Sequence, residues 1–120
     1  MNKLDQLIKK SHTNPEMITF QETINIIDEF YHYKPTEFTN GLNDELIINQ
    51  AGSNEGSCKI FAFALLHNFN SKQTLHCFGD YYRVDVLQNI DKDDHANIRT
   101  FIKYGTQGIK FLDHALTKKI

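Results

Sequence analysis

The run Ala51-Gly52-Ser53-Asn54-Glu55-Gly56-Ser57-Cys58-Lys59 puts small and polar residues directly before an apolar segment that starts at Ile60. Backbone N–H groups left free at a helix start, flexible glycines, two hydroxyls and the Lys59 ammonium can together hold an anionic group. Asn54, Glu55, Ser57 and Lys59 are therefore candidate ligand-binding residues. The spacing does not match a P-loop, which needs Gly-Lys followed by Ser or Thr, so nucleotide binding is not implied. The plainer role for Ser53, Asn54 or Ser57 is to cap the helix.

Cys58 falls in the first turn of that helix, where the positive end of the dipole lowers a thiol pKa and favours thiolate. The competing role is a small buried hydrophobe at the base of an apolar helix. A second cluster, Asp94-His95-Ala96-Asn97-Ile98-Arg99, places His95 and Arg99 four residues apart, on one face of a helix beside Ile98 and Ile102. Both could edge a cleft, and His95 could serve as a base or as a pH-sensitive hydrogen-bonding group. Alternatively it is a partly exposed histidine paired with Asp91 or Asp94.

Taken together, Cys58, His95 and Asn97 (or Asp94) are the residue types of a cysteine-dependent hydrolase or transferase. The histidines, His12, His32, His67, His76, His95 and His114, form no HExxH pair, and the two cysteines form no CxxC unit. No metal site and no cofactor are expected. Tyr81-Tyr82-Arg83 offers either a stacking surface or core packing plus an exposed Asp80–Arg83 pair.

These residues need elements to position them. Leu4, Leu7 and Ile8 recur at helical spacing and predict a short N-terminal helix ending near Ser11, before Thr13-Asn14-Pro15. Thr19 followed by Glu22 is a capping-box signature, and Phe20, Ile24, Ile27 and Tyr31 mark a second helix running to about Tyr33. Pro35 to Gly56 reads as a long polar loop with a short extended piece at Leu46 to Ile48, and a loop of that length is uncommon without a function. Ser57 to Phe69 is apolar on every side, the pattern of a central buried helix that should enclose Ile60, Phe61, Phe63, Ala64 and Leu66.

Ser71 can cap the next helix, whose stripe is Leu75, Phe78, Tyr82 and Val86, with Gly79 marking a kink or close packing. Asp91 to Asp94 then predicts the start of a further helix that turns Ile98, Phe101 and Ile102 inward and stops at Gly105. Gly108 to Leu116 is open between a short strand and a last helical turn. The fold class expected is mainly α: about four to five helices in one domain over residues 1–120, with a long polar loop before the central helix.

Composition narrows the function classes. Thirteen basic residues against fifteen acidic ones leave a formal charge of −2, and no lysine or arginine run exceeds a pair. Neither nucleic acid nor a membrane surface is an expected partner. The longest apolar run, Ile60 to Leu66, is far below the roughly 20 residues a bilayer requires. Residues 1–20 lack an apolar export signal, which points to a cytoplasmic setting with Cys58 and Cys77 reduced.

Several blocks in one order, from Tyr33-Lys-Pro-Thr-Glu-Phe-Thr-Asn-Gly41 and Ala51-Gly-Ser-Asn-Glu-Gly-Ser-Cys-Lys-Ile-Phe-Ala-Phe-Ala64 through Phe78-Gly-Asp-Tyr-Tyr-Arg83 to Asp94-His-Ala-Asn-Ile-Arg99 and Gly108-Ile-Lys-Phe111, resemble the HopJ type III effector protein family. The likeness spans about Ile18 to Leu116, with residues 1–17 as an N-terminal helix and connector outside it. It implies a small bacterial protein and delivery into host cells. It assigns no catalytic residue. The N-terminus is not serine-rich as type III signals tend to be, so residence in the bacterial cytoplasm is the competing expectation.

Two functions follow. One is a non-enzymatic binding module whose polar pocket, built from Asn54, Glu55, Ser57, Lys59, His95 and Arg99, takes a small anionic ligand or a partner peptide. The other is the cysteine-dependent enzyme that uses Cys58 and His95, with Asn97 orienting the base.

Overall fold

The computed structural model, which describes residues 1–119, shows the capping box at Thr19 in full. The Thr19 hydroxyl accepts from the Glu22 N–H while the Glu22 carboxylate accepts from the Thr19 N–H. This starts α2 (Phe20–Phe30), which packs against α1 (Lys3–Thr13). Both helices bury one stripe, Leu4 and Leu7 on α1, Ile26 and Ile27 on α2.

Helix α2 ends three residues short of its expected end, because Tyr31–Tyr33 leaves it as a strand, β1, antiparallel to β5 (Leu116–Lys118). A second sheet has the order β3-β2-β4, where β2 is Phe38–Asn40, β3 is Ile47–Asn49 and β4 is Lys110–Phe111. The expected mainly α class is therefore corrected: the chain is 55% helical with 12% strand, a mixed α/β fold. The reason is that each strand is only two or three residues long. That is too short for period-two alternation to register in a sequence, and the pairings of β1 with β5 and β2 with β4 join distant segments that local patterns cannot reveal.

Helix α3 (Glu55–Leu66) occupies the interior. Ile60, Phe61, Phe63 and Ala64 are buried as expected, whereas Leu66, the last residue of the helix, is 51% exposed. Phe61 meets Phe38, Phe78 and Phe101, and Phe63 meets Tyr31 and Phe69, so the aromatic contacts of α3 reach both sheets and α5 (Ala96–Tyr104).

After α3, Asn70 rather than Ser71 caps α4 (Ser71–His76). The expected stripe through Val86 breaks at Gly79, whose φ is +60°. A Cβ there would lie 2.5 Å from the Phe20 backbone nitrogen, so glycine allows the chain to press against the start of α2. Beyond it Tyr81–Val86 forms a turn of π-helix. Asp91 to Asp94 do not start α5; the helix begins at Ala96, and Ile102 is 43% exposed while Ile98 and Phe101 are buried.

Candidate functional site

Helices α3 and α5 both begin at one cleft. The residue before each, Asn54 and His95, has a left-handed backbone with φ of 52°, and neither side chain bonds to the N–H groups of its own helix. The first turn of a helix carries N–H groups without intrahelical partners, and here no side chain among the described residues takes them up. Their partial positive charge therefore stays available.

The two side chains are used elsewhere. Asn54 Nδ2 donates to Asn49 Oδ1 at 2.8 Å. His95 Nε2 lies 3.0 Å from Asp85 Oδ2. Between the helix starts is a cleft of about 370 Å³, lined by Asn54, Gly56, Ser57, His95 and Asn97 on the polar side and by Phe20 and Tyr81 on the apolar side. The Phe20 ring meets Tyr81 edge-on at 4.9 Å, and the Tyr81 ring lies 5.2 Å from that of His95, so the aromatic wall is continuous with the histidine.

Beneath lies a buried amide network. Asn97 and Asn49 exchange side-chain hydrogen bonds of 2.9 and 3.1 Å, and Asn40 Nδ2 donates to both the backbone and side-chain oxygens of Asn97. With Asn54 bonded to Asn49, the start of α3 is tied through β3 to the start of α5. Asn40 and Asn49 are fully or almost fully buried, so every lost partner here costs the desolvation of the group left behind. The Asn40 side-chain oxygen already has no partner. Sequence reading missed Asn40 and Asn49. Asn40 sits before Gly41 and reads as turn, and Asn49 stands in a polar stretch; only their burial marks them.

Of the sequence candidates, Asn54, Ser57, His95 and Asn97 meet at this cleft, whereas Glu55, Lys59 and Arg99 do not line it. Lys59 Nζ instead pairs with Asp28 at 2.8 Å and sits over the Tyr33 ring. Arg99 is 16% exposed and bonds to the backbone oxygens of Ile90, Asn89 and Asp94 and to the Asp94 carboxylate, so it builds the loop before α5. The shared face expected for His95 and Arg99 presupposed one helix through both. His95 lies outside the helix in a left-handed conformation, so the four-residue spacing no longer aligns them.

Cys58 points to the other flank of α3. Its thiol is buried and lies 3.5 Å from the Thr36 carbonyl oxygen, and burial pushes its pKa up. The Tyr33 hydroxyl, also buried and without a partner, has its pKa raised by burial first and by the Cys58 thiol next. Among the described residues no hydrogen bond joins Cys58 to His95, and Cys58 is not part of the cleft wall. No group of three or more His, Cys, Asp or Glu among them is placed to hold a metal ion, and no helix is long and apolar enough to cross a membrane.

The sequence pattern of the HopJ type III effector protein family matches residues 4–116, nearly the whole chain. The chain belongs to this family. The matched span includes α1, which the resemblance beginning at Ile18 had left outside. The crystal structure of the unknown function protein VPA0580 is similar to this chain, with 44% identity and a TM-score of 0.92, over 99% of this chain and 95% of that one. No curated protein matches the chain.

Proposed function

We propose that this HopJ-family chain is a binding module for a small anionic ligand, held in the cleft between the starts of α3 and α5. The observation that supports it is the convergence of two uncapped helix N-termini, each of at least nine residues, on one partly apolar cleft. Partial positive charge at both starts favours an anion, and free N–H groups can donate to its oxygens. Of the nearby carboxylates, Asp85 is bonded to His95 and Asp94 to Arg99, and Glu55, in the first turn of α3, does not line the cleft. Ser57 adds a hydroxyl, His95 a ring nitrogen, and Phe20 with Tyr81 an apolar wall for the body of the ligand.

The cysteine-dependent alternative draws no support from the position of Cys58, whose buried thiol faces Thr36. Residence in the bacterial cytoplasm belongs to the same proposal, while the family name points to type III delivery; fusion to a translocation reporter decides between the two.

Thermal denaturation with a panel of phosphate, sulfate and small carboxylates tests the binding reading. A ligand bound only by the folded chain raises the midpoint as its concentration exceeds the dissociation constant. Ser57→Asp places a carboxylate at the cleft and should abolish that rise while leaving the fold intact. A flat response to every anion, or a rise unchanged in Ser57→Asp, rejects the proposal.

A further inference from the structure

A ligand between the starts of α3 and α5 meets helix ends, amides and rings, but no side chain of fixed charge. No lysine, arginine, aspartate or glutamate lines that cleft. The cations on neighbouring segments are committed elsewhere: Lys59 to Asp28, Arg99 to Asp94, and Arg83 to the Ile18 carbonyl and Asp80. Each helix start carries roughly half a positive elementary charge, so the two together offset about one negative charge. A phosphate monoester brings about 1.5 to 2, and the excess would find no arginine or lysine here. The cleft suits a monoanion.

Two side chains on its wall have donors that the fold does not use. Asn97 is 7% exposed, and its side-chain nitrogen, with two N–H groups to give, makes one hydrogen bond among the described residues, to Asn49 Oδ1. The Ser57 hydroxyl makes none among them. Because Asn54 and Asn97 are both bonded to Asn49, the two helix starts are ordered before a ligand arrives, which lowers the cost of binding.

The rest of the wall is apolar and largely aromatic. Phe78 and Ile98 are buried there, and Phe20, Ile47 and Tyr81 are partly exposed. Phe20 is closely packed at both ends: a Cβ on Gly56 would lie 3.0 Å from the tip of its ring, as one on Gly79 would crowd its backbone nitrogen. Ring pairs gain from edge-to-face or offset contact beyond the area they bury, whereas a saturated body gains from area alone. A volume of about 370 Å³ lies near the lower end of ligand pockets, which span roughly 300 to 1,000 Å³, so one ring suits it better than a nucleotide.

Resting on the reading of this cleft as an anion site, we propose that its ligand is a small aromatic monocarboxylate. The carboxylate accepts from the N–H groups at the two helix starts, from Ser57 and from Asn97, while the ring lies against Phe20, Tyr81 and Phe78. A zwitterionic aromatic amino acid is selected against, because its ammonium would meet no carboxylate on the wall.

The test titrates the isotope-labelled full chain with benzoate and follows backbone amide shifts. Each comparison probe changes one property: benzamide removes the charge, cyclohexanecarboxylate the planar ring and acetate the body, phenyl phosphate raises the charge, and phenylalanine adds an ammonium. Benzoate should saturate, with shifts centred on residues 54–57 and 95–98. Benzamide should bind roughly tenfold or more weakly, as the loss of charge-assisted hydrogen bonds implies. Cyclohexanecarboxylate should bind about three- to tenfold more weakly, the worth of ring–ring contact. Acetate, phenyl phosphate and phenylalanine should also fall below benzoate. Gly56→Ala, which sets a methyl group against the Phe20 ring, and Phe20→Leu should each lower the preference for benzoate over cyclohexanecarboxylate towards one; melting curves show whether each variant is folded.

Acetate, cyclohexanecarboxylate, phenyl phosphate or phenylalanine binding as tightly as benzoate, or a preference unchanged in both folded variants, overturns the aromatic monocarboxylate and leaves an anion site in place. Equal binding of benzamide, shifts centred elsewhere, or no saturable response to any of these anions overturns both readings. The probe series on the unaltered chain decides the matter even if neither variant folds.

Discussion

Ser57 and Cys58 are neighbours in the first turn of α3, yet their side chains face different surroundings. Ser57 borders an open cleft shared with α5, and Cys58 is sealed against Thr36 and Tyr33. Successive side chains on a helix diverge by about 100°, so one turn can present a polar group to solvent and a thiol to the interior. The difference teaches that a helix N-terminus does not activate every residue in its first turn. Dipole and desolvation act on Cys58 in opposite directions, and burial is the larger cause, since the thiol pKa is raised.

The sharpest way to break this contrast is to measure thiol accessibility. Native Cys58 should be alkylated at least about a thousandfold more slowly than in denaturant, because exposing a group this buried requires a large opening of the fold. Cys77, whose pKa burial pushes up to about 12, should be equally protected. Rapid native labelling of Cys58 alone, read by mass spectrometry and quenched in His95→Ala, would undo the contrast and return the enzyme reading.

The next largest effect concerns the sealed side farther along α3. Phe63→Ala should destabilise the chain by roughly 3 to 5 kcal/mol, as is usual when a buried aromatic ring is removed. An unchanged urea midpoint would contradict its central place. On the open side, Asn97→Ala should cost about 2 to 3 kcal/mol, because Asn40 and Asn49 would each keep a buried amide with fewer partners. Equilibrium unfolding gives that number, and loss of the anion-induced melting shift in the same variant would tie the network to the cleft.

Acidification should have a smaller effect. His67 and His76 both have their pKa lowered from 6.5, by burial in the first place, so the folded chain binds fewer protons than the unfolded one. Their contribution is complete above about pH 6.5 and is lost as the pH falls below it, so stability should decline on acidification before the carboxylates titrate. His67→Gln should flatten that slope in melting curves recorded between pH 7.5 and 5; an unchanged slope would remove His67 from the account. Smallest of all, Ser57→Ala should alter stability by less than about 0.5 kcal/mol, as expected where no hydrogen bond is lost. A large loss would show that Ser57 is structural.

The elements that carry strong local signals were legible. Thr19 and Glu22 announced α2 by their capping chemistry, and the apolar run from Ile60 announced the buried α3, because both signals depend only on residues within a turn or two. Part of the site was legible for the same reason: Asn54 and Ser57 were expected at the start of α3 and line the cleft there, whereas His95, expected on a helix face after a start at Asp91 to Asp94, precedes its helix instead. The grouping of Lys59 and Arg99 with them was not, since Asp28 and the loop carbonyls that claim these cations come from distant segments.

What the sequence by itself determined is where α2 starts and that α3 is buried. Tertiary structure alone decided the rest: that Tyr31–Tyr33 pairs with Leu116–Lys118, that Asn40, Asn49 and Asn97 meet beneath the cleft, and that Ser57 opens to it while Cys58 does not. The physical reason is range. Capping and periodicity act between residues a few positions apart, whereas strand pairing, amide networks and burial depend on which distant segments the packed core brings together.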